Sequence, residues 1–165
     1  MTQEEVIQTG KKVWGAFIGW TATAIGIIGG LIAIYSFWQS NPRYDLSGQW
    51  NLANTIETTS YTEYRNLKLG YRLFLTQRGT ALTGTGEKWT ENGRSLPPSA
   101  HAHINLTGSV SGNKVIATFQ EDGADRKTEG TLDWTFDPKT KSLVGKFTST
   151  AANASGPSTA QIFTE

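Results

Sequence analysis

The hydrophobic pattern begins with a long uncharged run near the N-terminus. No charged residue lies between Val13 and Pro42. As a helix, the segment from Trp14 to Trp38 would be about 37 Å long at 1.5 Å per residue, and the hydrocarbon core of a bilayer is about 30 Å thick. Aromatic residues lie at both ends of the run, which is typical of membrane interfaces. The pattern predicts one transmembrane helix over residues 13–38, after an N-terminal tail of residues 1–12. A cleaved secretory signal would be shorter, with small residues at its end.

Small residues recur at four-residue intervals within this run. One series is Gly15, Gly19 and Thr23, and the other is Ala22, Gly26 and Gly30. Such spacing places each series along one helix face, where two backbones can approach closely. We interpret Gly15, Gly19, Ala22, Gly26 and Gly30 as a surface for self-association in the membrane. The alternative is that glycine is simply common in transmembrane helices.

After a linker at residues 39–45, apolar and polar residues alternate with a period of two. This alternation predicts strands with one buried face. It is found around residues 48–52, 69–76, 101–106, 114–119, 131–136, 143–147 and 159–163, and turn signals separate most of these segments. No useful helical period follows Trp38. We therefore expect an all-β domain over residues 46–165, a small antiparallel up-and-down barrel of about eight strands. A two-sheet sandwich is the alternative.

Four small residues in this domain have two interpretations. They are Gly84, Gly86, Ala102 and Gly130. Small side chains on inward positions would leave an interior cavity, or they would permit tight corners in the barrel.

Composition and charge narrow the chemistry. The chain has no cysteine, which excludes disulfides and thiolate metal sites. Its formal charge is +1, so no overall field attracts it to a nucleic acid polymer. An anionic ligand would need a local site.

Catalytic groups do not converge in the sequence. His101 and His103 would share one strand face, but further zinc ligands are not evident, and solvated surface histidines are the simpler interpretation. The carboxylates lie scattered toward turns: Glu57, Glu63, Glu87, Glu91, Glu121 and Asp122. We therefore expect no enzyme, no metal site and no cofactor.

A binding site is the more plausible use of the domain. Aromatic and basic residues interleave between Tyr61 and Arg72 and recur further along the chain. Basic side chains bind phosphates and aromatic faces stack on bases. The candidate ligand-binding residues are Tyr64, Arg65, Tyr71, Arg72, Lys88, Trp89 and Trp134. The simpler interpretation is core aromatics with solvated charges between them.

Two resemblances suggest what such a domain does. The segment from Leu46 to Trp50, LSGQW, resembles the first strand of lipocalin- and avidin-like barrels, in which the tryptophan closes one end. The whole layout, a membrane segment followed at once by a minimal barrel, resembles the membrane-bound β-barrel effectors of bacterial cyclic-oligonucleotide (CBASS) anti-phage systems. That resemblance implies a cytoplasmic barrel at the bacterial inner membrane that binds a cyclic di- or trinucleotide. Binding would control oligomerisation of the membrane helix and disruption of the bilayer.

The sequence is consistent with more than one membrane orientation and with more than one function. Lys11 and Lys12 precede the helix and Arg43 follows it, a count that favours a cytoplasmic N-terminus, whereas the resemblance implies a cytoplasmic barrel. A membrane-anchored lipocalin-like module that binds a small molecule is the second functional hypothesis. A structural or interaction subunit of a membrane complex is the third.

Overall fold

A computed structural model describes residues 44–123 and 127–163. The predicted tail, the predicted transmembrane helix over residues 13–38 with its small-residue series, and most of the linker lie outside these residues. Within them, no helix is both long and apolar enough to span a bilayer.

The described chain is an all-β domain built from a simple meander. The strands are β1 (Gly48–Thr55), β2 (Lys68–Arg78), β3 (Ala81–Glu91), β4 (Arg94–Ser95), β5 (Ala102–Ser111), β6 (Lys114–Asp122), β7 (Lys127–Asp137), β8 (Ser142–Ser149) and β9 (Ala154–Ile162). Single 3-10 turns lie at Thr62–Tyr64, Pro98–Ala100 and Ala151–Asn153. All strand pairs are antiparallel, as short connections between neighbours require.

The sheet closes on itself. β1 pairs with both β2 and β9, and β3 pairs with both β2 and β5, so eight long strands form a continuous ring. The two-residue β4 lies outside this ring and pairs antiparallel with the end of β3. Closure satisfies the backbone groups that an open edge would expose. The prediction of an all-β antiparallel barrel of about eight strands is confirmed, and the two-sheet sandwich is wrong.

Side chains alternate between the interior and the solvent along each strand. β5 and β6 show this most regularly, with buried residues at every second position from Ala102 to Leu106 and from Val115 to Phe119. The interior is one continuous cluster of buried apolar residues. Its burial is the main favourable contribution to folding.

We call the end of the barrel where β1 begins the closed end. The turns at residues 79–80, 112–113 and 138–141 lie here. Trp50 is completely buried, donates a hydrogen bond from Nε1 to the carbonyl oxygen of Leu46 (2.9 Å), and packs edge-on against Phe136 with ring centroids 6.5 Å apart. The Tyr44 ring packs against the Phe136 ring, with ring centroids 4.7 Å apart. Trp50 therefore packs in the barrel interior near the closed end.

Both ends of the described domain meet at the closed end. The backbone N–H of Phe163, just after β9, donates to the carbonyl oxygen of Gln49 at the start of β1 (2.9 Å). We call the opposite end, which carries the connections at residues 56–67, 96–101 and 150–153, the open end.

The small interior residues have different roles. A Cβ on Gly86 would collide with the carbonyl oxygen of Arg72 and lie 2.9 Å from Leu73 Cδ2, and one on Gly130 would collide with the Phe119 ring. One on Gly84 would lie 2.6 Å from Leu75 Cδ2. These three glycines therefore permit close packing, whereas Ala102 lines a cavity.

Candidate functional site

The open end of the barrel contains a cavity of about 350 Å³. Its walls are mainly apolar and come from the ends of several strands and from the connections above them. The larger apolar lining residues are Ile56, Leu67, Leu69, Phe119 and Phe147, and the alanines are Ala100, Ala102, Ala151, Ala152 and Ala154. Ligand pockets span about 300–1,000 Å³ and combine apolar walls with a few polar groups. The cavity matches this description at the small end of the range.

Three polar side chains form a connected group in the cavity wall. The Tyr71 hydroxyl donates to Glu121 Oε2 (2.9 Å), and Lys88 Nζ lies 3.3 Å from Glu121 Oε1. The three residues come from β2, β3 and β6, where inward positions reach the open end. Burial, and then the carboxylate of Glu121, raise the pKa of Tyr71 well above its usual value. Tyr71 therefore stays protonated and holds Glu121 as an acceptor.

Asn54 adds an unpaired polar atom to the same cavity. It lies on β1, it is 2% exposed, and its Oδ1 has no hydrogen-bond partner among the described residues. Leaving a buried polar atom unpaired costs about 1–3 kcal/mol. A 180° rotation of the amide exchanges its oxygen and nitrogen, so this position can serve a ligand donor or acceptor. A bound ligand is one way to satisfy it.

The seven candidate residues occupy different places. Tyr64, Tyr71 and Lys88 line the cavity. Arg65 is exposed at the end of the 3-10 turn Thr62–Tyr64.

The remaining three candidates lie away from the cavity lining. The guanidinium carbon of Arg72 stacks 3.7 Å from the centroid of the Trp89 ring. Arg72 follows the inward-facing Tyr71, so strand alternation turns it to the outer face. Trp134 is completely buried and donates from Nε1 to Ser158 Oγ (2.8 Å). The structure thus brings three of the seven candidates together at one cavity.

Sequence reasoning did not single out Asn54, and it grouped Glu91 and Glu121 with the scattered carboxylates, although all three line the cavity. Asn54 follows Trp50 and Leu52 in the inward phase of β1, and Glu121 follows Phe119 in that of β6. A polar residue in an otherwise apolar phase is the signal that identifies such positions.

The two histidines lie in different environments. His101 is partly buried, with Nδ1 3.1 Å from Glu87 Oε2 and Nε2 3.1 Å from the carbonyl oxygen of Leu96, while His103 is exposed on β5. The simpler interpretation, two solvated surface histidines, therefore describes His103 but not His101. In the part of the chain that the structure describes, no group of three or more histidine, aspartate or glutamate side chains is placed to hold a metal ion.

Comparison with known proteins does not assign the chain to a family. No family model matches its sequence, and no curated protein matches it. The cavity at the open end is therefore the basis for the functional argument.

Proposed function

We propose that the barrel is a binding module that takes a small organic molecule into the cavity at its open end. The observation that carries this proposal is the unpaired amide oxygen of Asn54, a residue that is 2% exposed, in a mainly apolar cavity of about 350 Å³. An interior selected for stability alone would fill such a space with apolar side chains. The proposal corresponds to the small-molecule binding module among the sequence-based hypotheses.

Alanine methyl groups provide a direct test. The full chain would be labelled with ¹³C at alanine methyls, placed in lipid nanodiscs and titrated with three water-soluble probes that share an indole ring: tryptamine, tryptophol and indole-3-acetate. We expect at least one probe to shift the methyl signals of Ala102 and Ala154 saturably, because both line the cavity. Signals of Ala117 and Ala160, which are buried but outside the lining, should stay in place.

Variants in which a larger side chain fills the cavity provide the control for binding at this site. Ala102→Leu, or Ala152→Leu if the first variant folds poorly, should weaken probe binding at least tenfold because the added carbons occupy the cavity. Thr107→Leu places the same side chain on the exposed face of β5 and should leave binding unchanged. The proposal fails if millimolar concentrations of all three probes leave the cavity methyls unshifted, or if both filled variants bind as well as the unmodified chain.

A second candidate is the signal-gated membrane effector suggested by the layout of the chain. The observation that favours it is an exposed aromatic pair, Tyr61 and Tyr64, with ring centroids 6.1 Å apart, at the open end next to Arg65. Tyr64 also lines the cavity. Aromatic faces can stack on bases and arginine can bind phosphate. In this proposal a cyclic nucleotide would bind at the open end of a cytoplasmic barrel and promote assembly of the membrane helix.

Crosslinking of the full chain in inner-membrane vesicles tests the second candidate. Cyclic di-AMP or cyclic tri-AMP should increase crosslinked oligomers, and Gly26→Leu with Gly30→Leu should remove the increase. Arg65→Gln should weaken the nucleotide response, with Arg78→Gln on the closed end as the control. Oligomers that do not respond to either nucleotide would eliminate this candidate and leave the small-molecule module intact.

A further inference from the structure

The charged residues of the cavity indicate which class of molecule it accepts. Three charged side chains line it: Lys88, Glu91 and Glu121. Lys88 and Glu121 neutralise one another as an ion pair at 3.3 Å. The carboxylate of Glu91 remains, so the lining carries a formal charge of −1 at neutral pH.

Glu91 has no ion-pair partner among the described residues. Its register partner on β4 is Arg94, but the two form no ion pair, and the described ion pairs in this region involve other carboxylates. The Glu91 carboxylate acts on the cavity itself, since it is one of the charges that raise the pKa of Tyr71. A negative charge at a partly enclosed site attracts cations and repels anions more strongly than the same charge in open solvent.

The other walls favour an organic cation over a metal ion. Phe119, Phe147 and Tyr64 present aromatic surface to the cavity, and aromatic faces attract ammonium groups as well as apolar atoms. Hard metal ions would require several oxygen ligands at short range. Asn54, a residue that is 2% exposed, offers a neutral polar contact to a ligand through its unpaired amide oxygen.

We propose that the cavity binds a small organic amine: a protonated ammonium group beside Glu91, an apolar or aromatic body against Phe119 and Phe147, and a polar contact to Asn54. This inference rests on the proposed binding function and names its ligand class. It also implies that a dianionic cyclic nucleotide would not enter the cavity.

The three indole probes separate the ligand class from the function. They share one ring system and differ in charge: tryptamine is a cation, tryptophol is neutral and indole-3-acetate is an anion. Dissociation constants would be measured for the full chain from the methyl shifts of Ala102 and Ala154. We expect tryptamine to bind at least tenfold more tightly than tryptophol, and indole-3-acetate to bind most weakly.

Charge-neutral variants test the assigned residues. Glu91→Gln should reduce the preference for tryptamine over tryptophol at least threefold while leaving tryptophol binding unchanged. Glu121→Gln should also reduce this preference. Because this substitution leaves Lys88 without its ion-pair partner, Glu91→Gln is the decisive variant. Glu57→Gln removes an exposed carboxylate at the open end that does not line the cavity and should have no effect.

The outcomes are distinguishable. Equal or tighter binding of tryptophol or indole-3-acetate, or a preference that survives Glu91→Gln, would overturn the amine assignment and leave the binding function standing. Absence of binding by all three probes would overturn the function together with the assignment.

Discussion

The hydrogen bond between Trp134 and Ser158 should be a measurable contributor to the stability of the barrel. Both residues are completely buried, and Trp134 Nε1 lies 2.8 Å from Ser158 Oγ. Ser158→Ala removes the acceptor but only one heavy atom, so the main effect is a buried N–H without a partner. Such a donor costs about 1–3 kcal/mol.

A double-mutant cycle separates this hydrogen bond from packing. Trp134→Phe removes the donor and also leaves space, so its own cost includes a packing loss. If the hydrogen bond carries the cost of Ser158→Ala, the same substitution should cost no more than about 0.5 kcal/mol in the Trp134→Phe background. The coupling free energy, which is the difference between these two costs, should therefore be about 0.5–3 kcal/mol.

Thermal unfolding of the full chain, followed by circular dichroism, provides the measurement. A loss of 1 kcal/mol lowers the midpoint of a domain of this size by about 3–5 °C. Thr159→Ala, on the exposed face of β9, controls for the loss of a hydroxyl and should change the midpoint by about 2 °C or less. Equal losses for Ser158→Ala in both backgrounds would refute the reasoning, because the serine would then act independently of the indole.

Three further predictions follow from single side chains. Burial and the neighbouring carboxylate of Glu121 raise the pKa of Tyr71, so the folded state keeps the hydroxyl proton to a higher pH than the unfolded state does. The stabilising contribution of this group is therefore full below about pH 10 and is lost as the pH rises through the folded pKa. Tyr71→Phe should flatten that part of the pH profile of stability, measured by denaturant unfolding. Gly86→Ala should destabilise the barrel by about 1–3 kcal/mol because the new Cβ collides with the backbone. Thr85→Ala, at the exposed neighbouring position, should change the free energy of unfolding by no more than about 0.5 kcal/mol in the same assay. Equal losses would contradict the packing argument. Arg72→Met should cost about 0.5–1 kcal/mol of thermal stability by removing the contact with the Trp89 ring, and an unchanged loss in a Trp89→Leu background would show that the contact is not responsible.

Much of the barrel could be predicted because alternation is a local property. In β6 and β7, residues such as Val115, Ala117, Leu132 and Trp134 repeat an apolar type at every second position, and the structure buries all four. β3 is the exception, since its inward positions include Gly84 and Gly86, which carry no hydrophobic side chain. The pattern therefore did not mark it as a strand.

The candidate site was only partly predictable because a cavity is a non-local property. Tyr71 and Glu121 are 50 residues apart in sequence and meet only through closure of the ring. Trp134 was a candidate because its indole suits base stacking, but the register of β7 places it in the buried interior. Asn54 gave no motif at all, and its significance depends on finding its amide oxygen unpaired.

The meeting of both ends of the described domain at the closed end has a mechanical consequence. β1 begins and β9 ends there, and the two strands are neighbours, with Trp50 opposite Ile162 in their register. A force that pulls residues 44 and 163 apart would load the hydrogen bonds between these strands one after another, as in unzipping, because these bonds lie perpendicular to the strands. A force between residue 44 and a molecule held in the cavity would instead run along the strands and load many bonds at once. The same domain would therefore open readily under the first load and resist the second.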